Sequence, residues 1–209
     1  MFDARLRPLI DPPLDAAGRW IAGRGLSADH VTLAGFAAGM AAAVAVALGL
    51  FSTAVALIAL NRVCDGLDGA VARATAKTDR GAFLDIALDF AFYAAVPLAF
   101  AIADPARNAL AAAFLLAAFL VNGAAFLAFA TLAGKRDLTT YAQGEKSLYY
   151  LSGLAEGTET ILFFVATCLW PSAFAVGACL FAALCSVSCL ARLQLGWRLL
   201  SDKPVASPK

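Results

Sequence analysis

Asp65, Asp68, Asp85 and Asp89 are the residues of this chain best suited to chemistry. They lie in the segment Asn61 to Asp89, which reads NRVCDGLDGAVARATAKTDRGAFLDIALD. Asp65 and Asp68 are three residues apart and Asp85 and Asp89 are four apart, and either spacing puts its pair on one face of a helix. Both pairs stand in or beside long apolar runs. An ionised acid inside a bilayer costs about 2.5–3.5 kcal/mol even on the lenient insertion scale, and mutual repulsion adds to that. Bound divalent cations resolve the conflict, and a ligand set made only of oxygens favours hard ions, Mg²⁺ or Mn²⁺. Two such ions bridged by shared carboxylates suit phosphoryl transfer, because they stabilise attacking and leaving oxygens together. The competing reading is four acids neutralised by protonation or by nearby bases.

The small and basic residues around the acids fit a binding site. Gly66 and Gly69 flank Asp68, and Gly81 precedes Asp85. A glycine in mid-helix costs about 1 kcal/mol relative to alanine, so each marks a place where a ligand or a neighbouring helix comes close to the backbone. Arg73 either binds a phosphate or anchors the chain at the membrane surface.

Positioning these groups takes helices of membrane length. About 20 residues cross roughly 30 Å of hydrocarbon, and six apolar stretches qualify, near residues 30–51, 53–75, 81–103, 107–133, 147–170 and 172–199. The second and third are joined by a short polar turn, so they are expected as antiparallel neighbours with their acidic pairs facing each other. Asp65 and Asp89 then lie on the order of 12–15 Å from the helix ends at that turn, and Asp68 and Asp85 roughly 6–10 Å, so the four meet in one layer. Phe51–Thr53, Asp104–Ala106 and Trp170–Ser172 are expected as the tight links on the far side.

Composition demands the same solvent. Of 209 residues, 62% are hydrophobic and 15% charged, with a mean hydropathy of +0.78; a soluble domain carries roughly 45–50% apolar and about 25% charged residues. A soluble globule of this size has too much surface for its volume to hide so much apolar area, and disorder needs the opposite composition. The net charge of +1 gives no reason to expect nucleic acid. The expected fold is an all-α integral membrane protein of six transmembrane helices preceded by an N-terminal amphipathic interfacial helix. That helix falls in residues 1–28, where Leu14, Ala17 and Ile21 repeat at helical spacing beside Trp20. Residues 29–200 form one membrane domain and 201–209 a tail. Asp3, Pro8, Asp11, Pro12, Pro13 and Asp15 interrupt any apolar core of a signal peptide.

Basic residues orient the spans. Arg5, Arg7, Arg19 and Arg24 precede the first, Arg73, Lys77 and Arg80 follow the second, Lys135, Arg136 and Lys146 follow the fourth, and Arg192, Arg198, Lys203 and Lys209 close the chain, against Arg107 alone on the opposite side. Both termini and the acidic layer are therefore expected on the cytoplasmic side. Trp20, Trp170 and Trp197 fall where an interfacial aromatic belt would put them. Ser27 offers an N-cap to the first span. His30, the one histidine, has no second ligand at metal spacing and reads as an interfacial or capping residue. The five cysteines, Cys64, Cys168, Cys179, Cys185 and Cys189, read as small hydrophobes within helices.

The arrangement Asp65-Gly66-x-Asp68-Gly69-x-x-Ala72-Arg73, seven further residues, then Gly81-x-x-x-Asp85-x-x-x-Asp89 resembles the signature of the CDP-alcohol phosphotransferases, also called CDP-alcohol phosphatidyltransferases. Every fixed position is filled, and the gap before Gly81, slightly short for the family, falls in the turn. The resemblance implies transfer of the phosphoalcohol part of a CDP-alcohol, such as the phosphatidyl group of CDP-diacylglycerol, to an acceptor alcohol in phospholipid biosynthesis, with release of CMP. It further implies that Asp65, Asp68 and Asp85 ligate two divalent cations, with Asp89 beside the second as general base on the acceptor hydroxyl. Gly66, Gly69, Ala72, Arg73 and Gly81 would form the CDP site, and the protein would be a homodimer.

The acceptor end is less legible. Glu156 and Glu159 stand in the fifth span and Asn122 in the fourth, while Asn61 and Arg62 fall near the same depth; an internal pair between Arg62 and a glutamate is the alternative to a pocket. An acceptor carrying a phosphate would draw on Lys135, Arg136, Lys146, Arg192 or Arg198, whose other role is cytoplasmic anchoring. Two readings compete with phosphatidyl transfer from CDP-diacylglycerol. One is a choline- or ethanolamine-type phosphotransferase that takes CDP-choline or CDP-ethanolamine to diacylglycerol. The other is an ion-coupled transporter using intramembrane carboxylates, against which the Gly-x-x-Ala-Arg element and the clustering of four aspartates at one turn both argue.

Overall fold

In the computed structural model, which describes residues 3–135 and 157–200, the regular elements are all helical. They are α1 (Asp3–Ala22), α2 (Ala28–Ala47), α3 (Phe51–Ala74), α4 (Asp79–Ala103), α5 (Pro105–Lys135) and α6 (Gly157–Leu169), then a single 3₁₀ turn (Pro171–Ala173) and α7 (Phe174–Leu199).

Local chemistry fixes the boundaries. Ser27 caps α2, and its backbone N–H donates to His30 Nδ1 at 3.2 Å while its hydroxyl lies 2.7 Å from the same nitrogen; the lone histidine is a capping residue. At the other end of α2 the link is Leu48–Leu50, not Phe51–Thr53. Gly49 takes φ +74°, a left-handed conformation that closes a helix cheaply only in glycine, and α3 starts at once with Phe51. Thr78 caps α4, its Oγ1 accepting from Gly81 N–H at 3.0 Å. Asp104 Oδ1 accepts from Arg107 N–H at 3.2 Å, and α5 opens on Pro105, where a missing N–H costs nothing.

α2 packs against both α3 and α4; α1 lies on α3, α5 on α4 and α7, and α6 on α3 and α7. In lipid such contacts rely on close van der Waals approach, which small residues allow. A Cβ on Gly18 would lie 2.7 Å from the Ala70 backbone, and one on Gly39 would lie 2.8 Å from the Phe92 ring. The core is aromatic. Phe92, Val96 and Phe100 of α4 meet Ile58 of α3, Leu115 of α5, Phe164 of α6, and Phe174 and Phe181 of α7. Phe100 stacks on Phe174 with ring centroids 4.1 Å apart, and Phe163 on Phe181 at 4.8 Å.

The protein is an integral membrane protein. Among the described residues α2, α4, α5 and the stretch Pro171–Leu199 are long and apolar enough to cross a bilayer, and they turn Leu98, Ile102, Leu110, Leu120, Leu180 and Leu190 outward. Two of the six expected spans are outside this set. α3 carries Arg62, Asp65, Asp68 and Arg73, which lower its hydropathy, and of the fifth expected span only α6, 13 residues, falls within the described part. Trp20, Trp170 and Trp197 are all exposed.

Candidate active site

The acidic pairs face each other across a gap. α3 and α4 scarcely touch backbone to backbone; α2 packs against both and forms the floor between them. This differs from the side-by-side pair expected from the short turn. α2, whose Gly35 and Gly39 let neighbouring helices approach closely, stands between them and bridges the two. The result is a small open cleft lined by Thr32, Gly35 and Phe36 of α2, Asn61, Arg62, Asp65 and Asp68 of α3, and Asp85, Leu88 and Asp89 of α4.

Asp65, Asp85 and Asp89 each point an oxygen to one place, all three oxygens lying within 4.8 Å of one another. Asp68 lines the same cleft but is turned into protein. It is buried, and its Oδ2 accepts from Thr32 Oγ1 at 2.7 Å. Asp65 and Asp89 keep 39% and 30% of their side-chain surface exposed, enough for an ion or a ligand oxygen to reach them. As a donor set this cluster is all oxygen and strongly negative. It fits a hard divalent cation and would suit a soft one poorly.

A base stands among the acids. Arg62 Nη2 donates to Asp89 Oδ1 at 3.0 Å, and Nη1 lies 3.6 Å from Asp65 Oδ2. Its Nε and Nη2 also donate to Asn61 Oδ1 at 2.9 and 2.8 Å, and Asn61 Nδ2 donates to Gly35 O at 2.9 Å. The guanidinium sits over the Phe92 ring at 5.7 Å. Tyr93 donates its hydroxyl to Asp89 Oδ2 at 3.3 Å, so both oxygens of Asp89 have protein donors. Arg62, read from sequence as a pocket residue or the partner of a glutamate, pairs with Asp89 and Asp65.

The remaining sequence candidates are spread around this centre. Gly66 faces α1, where a Cβ would come within 3.0 Å of Leu14. Gly69 lies one turn before Arg73, Ala72 is half-buried, and Arg73 donates from Nη2 and Nε to Asp15 Oδ1 of α1 at 2.6 and 3.0 Å. Gly81 belongs to the α4 cap; a Cβ there would press on Thr78 Oγ1 at 3.2 Å and on Asp29 Oδ1 at 3.3 Å. Asn122 is buried and accepts from Arg192 Nη1 at 2.9 Å. Its neighbour Gly123 packs directly on the ring of Phe90, adjacent in sequence to Asp89. Glu159 is half-buried in the first turn of α6, and Lys135 is exposed at the end of α5. Glu156 and Lys146 lie outside the described residues.

Sequence reasoning missed Thr32, Gly35 and Tyr93. Tyr93 follows Asp89 at i+4 and so shares its face. Thr32, Gly35 and Gly39 make a stripe of small residues along α2, a signal readable as packing but not as the floor of a site.

A family model described as CDP-alcohol phosphatidyltransferase matches residues 26–188. The chain is 48% identical over 202 residues to the inner membrane protein YnjF of Escherichia coli, covering 97% of this chain and 98% of that one. It is 27% identical over 169 residues to the archaetidylinositol phosphate synthase of Pyrococcus horikoshii, covering 80% and 90% respectively. Among solved structures it resembles the Mycobacterium tuberculosis phosphatidylinositol phosphate synthase PgsA1 with CDP-DAG bound. That match has a TM-score of 0.73 at 22% identity and covers 94% of this chain and 98% of that one. The same protein in complex with manganese and citrate matches with a TM-score of 0.68.

Proposed function

The chain belongs to the CDP-alcohol phosphatidyltransferase family, and from that premise we propose that it transfers the phosphatidyl group of CDP-diacylglycerol to an acceptor alcohol. The observation that carries the reading is the convergence of Asp65, Asp85 and Asp89 across the α3–α4 cleft. A transferase of phosphate-linked groups needs concentrated negative charge of this kind to hold cations against a pyrophosphate.

Asp65, Asp85 and Asp89, with Asp68 of the same cleft, would hold two divalent cations, Mg²⁺ or Mn²⁺. Such ions would supply neutralisation of the donor's pyrophosphate charge and acidification of the acceptor hydroxyl. Asp89 takes the proton of that hydroxyl as general base. The acceptor oxygen forms a bond to the phosphorus that bears diacylglycerol. The bond from that phosphorus to the bridging oxygen breaks, and the bridging oxygen leaves with CMP. Gly69, Ala72 and Arg73 face the nucleotide, with Arg73 turned from Asp15 toward phosphate, while Gly66, packed on α1, and Gly81, in the cap of α4, shape the site from behind.

For the acceptor end the candidates are Asn122 of α5, Glu159 of α6, Arg192 of α7 and Lys135 at the end of α5, with Glu156 and Lys146 kept as candidates on the sequence alone. A buried Arg192 held by Asn122 supports a polyol acceptor that carries its own phosphate, in keeping with the archaeal and mycobacterial relatives, an archaetidylinositol phosphate synthase and a phosphatidylinositol phosphate synthase. In the membrane the chain forms six spans, adding α3 and α6 to the four apolar helices, with α1 in the interface. Its termini and cleft are cytoplasmic, and it is a homodimer.

Purified protein given CDP-diacylglycerol, Mg²⁺ or Mn²⁺ and a panel of acceptor alcohols tests this. CMP is released with a subset of acceptors, and release is lost in Asp89→Asn. Release from CDP-choline with diacylglycerol would move the chain to the other branch of the chemistry. No CMP from any CDP-alcohol would overturn the assignment.

A further inference from the structure

We infer that Arg62 is a built-in counter-cation that sets the affinity of the carboxylate cluster for divalent ions. The inference rests on the reading of that cluster as a metal centre. Four carboxylates share one cleft, and a guanidinium lies 3.0 Å from Asp89 and 3.6 Å from Asp65, two of the three groups that converge. It is fixed there. Asn61 Oδ1 accepts two of its N–H groups, Asn61 is tied in turn to Gly35 O, and the Phe92 ring backs the guanidinium plane. A side chain so held cannot swing away at little cost when a cation arrives.

Two consequences of opposite sign follow from Coulomb's law. In the metal-free protein Arg62 offsets one negative charge of the cluster and relieves the repulsion between Asp65 and Asp89. In the metal-loaded protein the same charge competes for the oxygens of Asp65 and Asp89 and repels the ion, an effect of one like charge a few ångströms away in a partly buried site. Removing Arg62 therefore destabilises the metal-free protein and tightens metal binding. A residue that merely braced α3 against α4 would do the first without the second.

The test uses the full chain in detergent. Free Mn²⁺ is followed by electron paramagnetic resonance during titration, and thermal unfolding is recorded in EDTA and in saturating Mn²⁺. Arg62→Met is expected to bind Mn²⁺ about tenfold more tightly or better, to melt lower in EDTA, and to gain more from Mn²⁺ than the wild type does. Arg62→Lys keeps the charge and stays near the wild type. Asn61→Ala loosens the clamp and shifts affinity in the same direction by a smaller factor, which keeps the idea testable if Arg62→Met does not fold in EDTA. Mn²⁺ affinity equal to or weaker than wild type in folded Arg62→Met, or no shift in Asn61→Ala, overturns the inference. A wild type that takes up no Mn²⁺ overturns the metal reading itself, and the two failures are told apart by that titration.

Discussion

Along α3 and α4 the same two helices have opposite characters at their two ends. Toward the Leu48–Leu50 and Asp104 links, Ala54 and Ile58 of α3 and Val96 and Phe100 of α4 are fully buried among aromatic rings. Toward the 75–78 turn, the same faces carry Arg62, Asp65 and Asp68 against Asp85 and Asp89. The change falls within one helical turn, at the level where Gly39 admits both Phe92 and Asn61. The apolar end is filled by side chains of α5, α6 and α7. The acidic end is left open as a cleft, and α2 forms its floor. Rigidity at one end thus positions a site at the other, where packing alone could hold nothing.

Breaking the chemistry while sparing the scaffold gives the largest effect. Asp89→Asn is expected to lower the rate of CMP release by about 10²–10⁴-fold, the range of a lost general base. Its metal-free melting temperature changes little, because the repulsion relieved at Asp65 and Asp85 offsets the weakened pair with Arg62. Breaking the scaffold is the converse. Phe100→Ala removes a fully buried ring that stacks on Phe174 and is expected to cost about 3–5 kcal/mol, read as a lowered unfolding transition in detergent. The activity per folded molecule remains. If Phe100→Ala abolished turnover without lowering stability, the division between a packed end and a reactive end would be wrong. At the boundary, Gly39→Ala presses a methyl on Phe92 and on Asn61 Nδ2. It should cost about 1–3 kcal/mol by overpacking and lower activity too, because Asn61 also holds Arg62.

The acidic end was the more legible in sequence. Asp65, Asp68, Asp85 and Asp89 are conspicuous because a charge in an apolar run has no trivial explanation, and helical spacing alone shows that each pair shares a face. Four of the six expected spans were equally visible, since apolar length is nearly all that a bilayer requires. What sequence did not give was the third helix. Nothing local says that Thr32 and Gly35 face α3 and α4 together, because a small-residue stripe fits any close neighbour. Nor could it say that Arg62 turns to Asp65 and Asp89. Position on a helix face specifies direction, but the partner depends on which helix stands opposite. Gly49, which closes α2, carries a local signal that apolar length alone hides. The helix expected within residues 1–28 runs from Asp3 to Ala22, and sequence did not show that it packs on α3.

The smallest effect is the one that sharpens the comparison most, since it concerns how the open end is covered. Arg73 and Asp15 join α3 to α1 at 2.6 Å, with 42% and 37% of their side-chain surface exposed. A pair so wet contributes about 1 kcal/mol or less. Asp15→Asn should therefore move the melting temperature little, and its informative readout is the KM for CDP-diacylglycerol. If Arg73 leaves Asp15 to meet the donor's phosphates, removing its competitor lowers KM by up to about fivefold, the equivalent of that same energy. Raising the ionic strength, which screens an exposed pair, should shrink the difference between wild type and variant. If Arg73 instead serves only to fasten α1 over Gly66 and Gly69, KM rises, because the cover loosens and the donor site loses its shape. The direction of that change decides whether the open end of the helix pair is guarded by a latch that the substrate releases or by a wall that the substrate needs.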